Sequence, residues 1–148
     1  MLQSLTQNQR AYIAGFLDGD GSIYVRAKPN PTYRFGFQIA PYIVFFQSQS
    51  SQERFGEICK LISVGHLRIR SDGILEYIIN RIDEIKMLLE CVRPFAILKR
   101  RQIDLMLKII ESKSQVENED DFEKLLQLVN SYRELNYSKK RKQRSLTP

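Results

Sequence analysis

Residues 12–22 read YIAGFLDGDGS, and this stretch decides the fold. Apolar residues at helical spacing lead into Asp18-Gly19-Asp20-Gly21, a run that is typical of a helix end. From Ser22 to Lys28 apolar and polar residues alternate, which predicts a strand with one wet face. We therefore predict a helix over residues 7–17 that passes through an acidic turn directly into a strand.

Small residues recur every four positions on this helix. Ala11, Gly15 and Gly19 share one face, so a second helix could approach closely there. Two such helices side by side would bring two Asp20 carboxylates together, and hard cations such as Mg²⁺ favour carboxylates near phosphate oxygens. The spacing of Ala11, Gly15 and Gly19 thus indicates a face of the helix on which a second helix can pack closely.

The remaining chain predicts the element order α-ββ-α-ββ-α-α-α. A long strand over residues 33–47 contains Pro41, which indicates a bulge or an edge position. The other expected elements are a 52–62 helix, strands 66–70 and 74–80, helices 82–92, 99–113 and 122–135, and an acidic loop 117–121. This order indicates an α+β fold with a four-stranded antiparallel sheet and helices on one face. One domain, residues 1–137, precedes a basic tail, residues 138–148.

Charge is concentrated at the C-terminus. The chain carries a net charge of +6, and its last ten positions hold Lys139, Lys140, Arg141, Lys142 and Arg144. Such a run favours binding to a polyanion, and we expect nucleic acid first and a membrane surface second. No apolar run is long enough for a membrane span, and no secretory signal is visible. Cys59 and Cys91 do not form a CxxC pair, and we predict that both are buried free thiols.

The second face of the predicted sheet is too polar for a core. It carries mixed donors and acceptors at strand spacing, namely Tyr24, Arg26, Lys28, Gln38, Arg68, Arg70, Glu76 and Asn80. A two-stranded ribbon fits the major groove of DNA, so we predict that this face reads DNA. Ala40, Val44 and Ile78 share the face and could meet thymine methyl groups or be passive.

Three other interpretations explain less. An EF-hand loop beginning at Asp18 would need Gly at its sixth position and Glu at its twelfth, where Ile23 and Pro29 stand. The single histidine, His66, excludes a histidine-rich nuclease site. Glu84-Ile85-Lys86 imitates a restriction-type motif but lies in a predicted helix, where we expect surface ion pairs.

The segment 13–21 resembles the LAGLIDADG signature, and nearly the whole chain resembles the single-motif homing endonucleases of organellar group I introns. The matching features are the Lys28-Pro29-Asn30 turn, Gln47, the Val64-Gly65 turn with Arg68 and Arg70, Arg93-Pro94-Phe95 with Lys99, and Leu135-Asn136 with Ser138-Lys139 and Arg141-Lys142. Ser51 departs from the family, which often has a basic residue there.

The resemblance implies a homodimer that hydrolyses one phosphodiester per strand of a long, near-palindromic DNA site with Mg²⁺. The implied dimer interface includes Ala11, Tyr12, Ala14, Gly15, Asp18 and Gly19. It implies that Asp20 binds metal with help from the Gly19 carbonyl, that Gln47 holds water near the metal, and that Lys99 stabilises transition-state charge. The implied DNA contacts are Tyr24, Arg26, Lys28, Asn30, Thr32, Tyr33, Gln38, Ala40, Val44, His66, Arg68, Arg70, Glu76, Ile78, Ser138, Lys139, Lys140, Arg141 and Lys142.

Two alternatives on the same fold stay open at this point. One is an intron maturase, for which intron RNA would be the partner, and the other is a DNA-binding regulator without catalysis. At family level the expected compartment is an organelle, the chloroplast ahead of the mitochondrion.

Overall fold

The computed structural model of the protein describes residues 2–136, so the predicted basic tail lies outside the described residues. The predicted element order is confirmed. The elements are α1 (Gln7–Asp20), β1 (Gly21–Pro29), β2 (Phe37–Ser48), α2 (Gln52–Ile62), β3 (His66–Ile69), β4 (Ile74–Ile79), α3 (Ile82–Val92), α4 (Arg100–Ser114) and α5 (Glu119–Leu135).

The four strands form one antiparallel sheet in the order β1-β2-β4-β3. β2 pairs with β1 along residues 37–45 but with β4 only from Ile43 onward. Pro41 pairs with Val25 in the half of β2 that β4 does not reach, and the register is continuous there. Pro41 therefore lies in the part of β2 that has β1 as its one neighbouring strand, and the strand has no bulge there.

The helices cover one face of the sheet, as the alternation predicted. Ile23 and Val25 of β1 and Ile43 of β2 lie in the same buried cluster as apolar side chains of the helices. The Tyr132 hydroxyl of α5 donates a hydrogen bond to the Ile23 carbonyl and ties the last helix to the first strand. Leu67 and Ile69 of β3 pair with the buried residues Tyr77 and Leu75 but are themselves exposed at this edge strand.

Three predicted boundaries are wrong by three or four residues, and the others agree within one residue. α1 continues three residues further, to Asp20. β2 begins at Phe37 instead of residue 33, because residues 30–36 form a turn in which Asn30 N–H donates to the Gly36 carbonyl. α5 begins at Glu119, since the Asn118 side chain accepts from Asp121 N–H and caps the helix. The acidic residues of the expected loop thus form the first helical turn, where the helix dipole favours negative charge.

No helix within residues 2–136 is long and apolar enough to cross a membrane. Both cysteines are free thiols: Cys91 is buried and Cys59 is half-buried. Burial raises the pKa of Cys59 to about 11, so this thiol stays protonated at neutral pH.

Candidate active site and DNA-facing surface

Asp20 is the last residue of α1, and its side chain is exposed. Within residues 2–136 the Asp20 carboxylate has no hydrogen bond or ion pair. The negative end of the helix dipole disfavours the charge of Asp20 at this position. No basic residue in the last turn of α1 offsets that charge. Both carboxylate oxygens are therefore free for a ligand, in a position that a bound cation would stabilise.

Asp18 has the opposite environment. Its Oδ2 accepts the backbone N–H groups of Ile97 at 2.8 Å and Leu98 at 3.1 Å, and its Oδ1 accepts that of Lys99 at 3.1 Å. The carboxylate therefore fastens the loop before α4 to the end of α1. The Asp18 carboxylate is thus engaged within the chain's own fold, and its predicted place in a dimer interface stays a prediction.

Lys99 reaches the same end of α1. Its Nζ donates to the Asp18 carbonyl at 2.9 Å, and the side chain is half-buried. Desolvation lowers the pKa of Lys99, and the nearby Asp18 carboxylate opposes that shift. The structure thus brings a partly desolvated amine to the helix end that carries Asp20.

Gln47 reaches the same region from the sheet. Gly21 pairs with Phe45, so the end of β2 lies beside the junction of α1 and β1. Gln47 is half-buried, and its Oε1 accepts the Ser48 N–H at 3.2 Å. The three predicted catalytic side chains, on α1, β2 and the start of α4, therefore converge on one end of the molecule.

The glycines of the motif have different surroundings. A Cβ on Gly21 would stand 2.5 Å from Leu17 Cδ1, so this glycine permits the close turn from helix to strand. A Cβ on Gly15 or Gly19 would meet nothing within 4 Å. The face of α1 that carries Ala11, Gly15 and Gly19 is thus exposed and not used by the chain's own packing.

One interface residue was predicted wrongly. Ala14 is fully buried in the chain's own core beside Ile13 and Leu17, so its side chain cannot touch a partner. Tyr12 is exposed, as an interface residue should be before the partner is present.

Sequence reasoning missed an apolar patch beside the motif. Ile97 is 82% and Leu98 is 76% exposed, and both backbone N–H groups are held by Asp18. Two consecutive large apolar residues in a loop just before a basic helix start were the available signal. We call Ile97 and Leu98 the apolar patch.

The predicted DNA-contacting residues of the strands share one face of the sheet. Three cross-strand pairs lie along β1 and β2: Lys28 with Gln38, Arg26 with Ala40, and Tyr24 with Tyr42. Two rows continue across β2, β4 and β3: Val44 with Ile78 and His66, and Phe46 with Glu76 and Arg68. We call these positions the DNA-facing surface.

Two positions of this surface are covered. Val44 is 2% and Ala40 is 9% exposed, although neither belongs to the main core cluster. Longer side chains of the same face bury them, so they could contact a base only if those neighbours moved. The loop after β1 contains three further predicted contacts, Asn30, Thr32 and Tyr33. Within it, Asn30 Oδ1 accepts hydrogen bonds from the Thr32 N–H at 3.0 Å and from the Thr32 hydroxyl at 2.6 Å.

Arg68 and Arg70 differ in their partners. Arg70 Nη2 lies 2.7 Å from Asp72 Oδ2, and its Nε lies 3.4 Å from Glu76 Oε1. The Arg68 side chain is exposed and has no ion pair or hydrogen bond to the rest of residues 2–136. Arg68 can therefore reach a base without giving up a partner, whereas Arg70 must exchange its own.

At α3, the predicted surface ion pairs are present as Arg81 with Glu84 at 3.9 Å and Lys86 with Glu90 at 4.0 Å.

Residues 13–110, which span the motif, the sheet and most of α4, match the family model described as LAGLIDADG endonuclease. The chain belongs to the LAGLIDADG endonuclease family. The DNA endonuclease I-CreI of Chlamydomonas reinhardtii is 38% identical over 139 residues, which cover 92% of this chain and 83% of the relative. The DNA endonuclease I-CvuI of Chlorella vulgaris is 32% identical over 101 residues, or 68% of this chain and 63% of the relative.

Solved structures of LAGLIDADG proteins share the fold. The homing endonuclease I-CvuI in complex with the I-CreI target has a TM-score of 0.85 and 28% identity, covering 92% of this chain and 87% of that one. The archaeal intron-encoded homing endonuclease I-Vdi141I complexed with DNA has a TM-score of 0.81, covering 94% of this chain and 90% of that one; at 19% identity it supports the fold alone.

The end of α1 fits a hard divalent cation. Mg²⁺ takes one or two carboxylates together with substrate phosphate oxygens and water, and an unpartnered Asp20 offers such a ligand. Among residues 2–136 no three His, Cys, Asp or Glu side chains cluster as a complete metal site. Metal binding by Asp20 therefore stays a prediction.

Proposed function

We propose that the protein is a site-specific double-strand DNA endonuclease that acts as a homodimer with Mg²⁺ and cuts one phosphodiester per strand of a long, near-palindromic site. One observation carries the proposal. The free Asp20 carboxylate lies at the same end of the molecule as Lys99 and Gln47, while the nearby Asp18 carboxylate holds the loop of residues 97–99 there.

The exposed face of α1 supports the homodimer. The exposed residues Ala11, Gly15 and Gly19 leave room for a second helix, and the apolar patch is held at the C-terminal end of α1 by Asp18. A second copy would cover both and place its own Asp20 next to the first. Each half of a near-palindromic site would then meet one DNA-facing surface.

Each residue has a defined part in hydrolysis. Bound Mg²⁺ would supply Lewis-acid chemistry at the scissile phosphate. Asp20 would hold the ion, with the Gly19 carbonyl as a neighbouring oxygen ligand. Gln47 would orient water by hydrogen bonding, and Lys99 would offset the additional charge of the phosphate as the bond to the leaving oxygen breaks.

The relatives supply independent support for DNA and a divalent metal. I-CvuI has been crystallised with the I-CreI target in the presence of Mg and with its own target in the presence of Ca. Both curated relatives come from algae, Chlamydomonas reinhardtii and Chlorella vulgaris, so we propose the chloroplast as the compartment.

The test needs a DNA site and two metals. The joined exons that flank the gene provide the candidate site, which is placed on a supercoiled plasmid. We expect linear product with Mg²⁺, binding without cleavage with Ca²⁺, and neither on a scrambled site. Site binding in both metals with an uncut plasmid would overturn the endonuclease proposal and identify a DNA-binding regulator.

A further inference from the structure

The middle of the DNA-facing surface is apolar. Tyr24 of β1 pairs with Tyr42 of β2, and two residues further along β2 Val44 pairs with Ile78 of β4. Tyr24, Tyr42 and Ile78 are partly exposed, and Val44 is covered. We call Tyr24, Tyr42 and Ile78 the apolar band. It separates Arg26 and Lys28 on one side from His66 and Arg68 on the other.

The two tyrosine rings are held in place. They stack with centroids 5.1 Å apart and an angle of 20° between their planes. The Arg26 guanidinium carbon lies 5.5 Å from the Tyr24 centroid and 5.8 Å from the Tyr42 centroid, and Lys28 Nζ donates to the Tyr42 hydroxyl at 2.6 Å. Two cations thus fix the pair, and the Tyr42 oxygen already has a partner. The Tyr42 ring therefore offers DNA chiefly its carbon surface.

The core does not need these rings. Neither tyrosine belongs to the buried cluster beneath the sheet, so the pair faces away from the packing that holds the fold together. A rigid apolar surface on a DNA-facing sheet calls for an apolar group on the DNA. In the major groove the base edges present one such group, the C5 methyl of thymine.

We propose that the apolar band reads thymine methyl groups in the middle of each half-site, with the stacked pair of Tyr24 and Tyr42 as its rigid part. The inference rests on the proposed function, because it requires a DNA half-site along the sheet. It assigns two kinds of recognition to one surface. Arg26, Lys28 and Arg68 contact hydrogen-bond acceptors, while the band between them distinguishes thymine from cytosine by shape and methyl contact.

Uracil provides the test, because it keeps the pairing edge and the O4 acceptor of thymine and lacks only the methyl group. Binding sites are first selected in Ca²⁺ from random duplexes by the full-length protein. Each thymine of the selected site is then replaced by uracil, one position at a time and symmetrically in both half-sites. At one or two positions per half-site we expect affinity to fall about 4-fold per methyl, which corresponds to roughly 0.8 kcal/mol. At all other positions the affinity for the thymine duplex divided by that for the uracil duplex should stay near one.

Two variants assign the effect to the rings. Tyr42→Phe keeps the ring and removes the hydroxyl, so it should keep the preference for thymine over uracil. Tyr42→Ser removes the ring and should bring that ratio close to one at the same positions. Comparing both variants with both bases forms a double-mutant cycle, which separates the methyl-specific effect from a general decrease in affinity.

Each outcome is decisive. Equal wild-type affinity for thymine and uracil at every position, with plasmid cleavage intact, overturns this inference alone and needs no variant to fold. A Tyr42→Ser protein that weakens both duplexes equally and keeps their ratio excludes the rings as readers. A Tyr42→Phe protein that loses the ratio would mean that the hydroxyl is the reader. A selection that yields no consensus overturns the proposed function and this inference with it.

Discussion

At the scale of single residues, two aspartates on the same helix end have different roles. Asp18 accepts three backbone N–H groups of residues 97–99, and Asp20 accepts none within the described chain. A carboxylate that satisfies buried or crowded donors supports the structure, whereas a carboxylate without partners is available to a ligand. The two should therefore respond differently to substitution.

Asp20→Asn should abolish cleavage in Mg²⁺ while leaving site binding in Ca²⁺ and dimerisation intact. The substitution removes the negative charge that holds the metal and breaks no contact within residues 2–136. Cleavage of plasmid, gel-shift affinity and thermal unfolding are the three measurements, with the stability change expected within about 0.5 kcal/mol. If binding disappeared together with cleavage, Asp20 would have a structural role.

Asp18→Ala should instead destabilise the protein by about 1–3 kcal/mol, because three N–H groups lose their acceptor. Asp83→Ala is the matched control: Asp83 is exposed and lies 3.3 Å from Arg81 in a surface ion pair, which contributes little. Denaturant unfolding of both variants measures the difference. Equal stability of the two variants would mean that the bracing of residues 97–99 contributes nothing to the fold.

At the scale of secondary-structure elements, local signals predicted some boundaries and tertiary contacts set the others. Both ends of α2 and of α3 were predicted correctly, since Pro94 and the apolar spacing are local signals. The end of α1 was missed because Asp18-Gly19-Asp20 looks like a helix stop. The Asp18 contact to residues 97–99, 79 or more positions away, is a tertiary contact that no local pattern reports.

Gly15→Val should weaken the dimer without unfolding the chain. The new side chain meets open space in the monomer, so any steric conflict must come from a second copy. Gly56→Val in α2 is the matched control, because it also meets nothing within 4 Å and carries the same change in helix propensity. Sedimentation over a concentration series measures the association. A Gly15→Val protein that dimerises as tightly as the Gly56→Val protein would exclude this face of α1 as the interface.

Arg68→Ala in β3 should reduce affinity by about 1–3 kcal/mol at one base pair of each half-site and relax the preference there. The reason is that Arg68 is exposed and unpaired within the described chain, and a guanidinium can grip guanine O6 and N7. Arg70→Ala should have a smaller effect on base preference, since Arg70 must first leave Asp72 and Glu76. Affinities for duplexes changed at single positions measure both. A larger effect from Arg70 would reverse the assignment.

At the scale of the whole molecule, anchoring and reading are assigned to different regions. The residues outside the C-terminal tail carry nearly balanced charge, and the tail holds Lys139, Lys140, Arg141 and Lys142. Contacts from such a run to phosphates do not depend on base sequence, whereas side chains fixed on a sheet can address base edges. The predicted contacts Ser138 to Lys142 lie outside the described residues, so their part in binding stays a prediction.

Removing residues 138–148 should weaken binding to cognate and scrambled duplexes alike. It should also reduce the salt dependence by about 0.9 unit of log-log slope for each DNA phosphate that the tail neutralises in the full-length protein. Affinity measured against salt on both duplexes, for the full-length and shortened proteins, tests this. A truncated protein that no longer distinguishes the two duplexes would show that the tail reads sequence.

Much of the candidate site was predictable because its residues lie in recognisable motifs. Asp20, Gln47 and Lys99 were named from the sequence, and the fold brings them to one corner. The apolar patch residues Ile97 and Leu98 were missed, because their exposure depends on how Asp18 holds their backbone. Ala14 was misassigned because small residues on adjacent helix faces cannot be separated by size alone. Only the packing shows which face the core takes.

The alternation along β1 and β2 has a consequence for how the protein can change over generations. Odd-numbered residues such as Ile23, Val25 and Ile43 form the core, and even-numbered residues such as Arg26 and Gln38 face outward. Under the proposed function, substitutions at the exposed even positions would alter which bases are preferred with little effect on folding stability, whereas the covered Ala40 and Val44 are constrained by their packing. If the DNA target of the proposed endonuclease drifts in its host, the protein can follow it one side chain at a time, while selection on the core holds the scaffold constant.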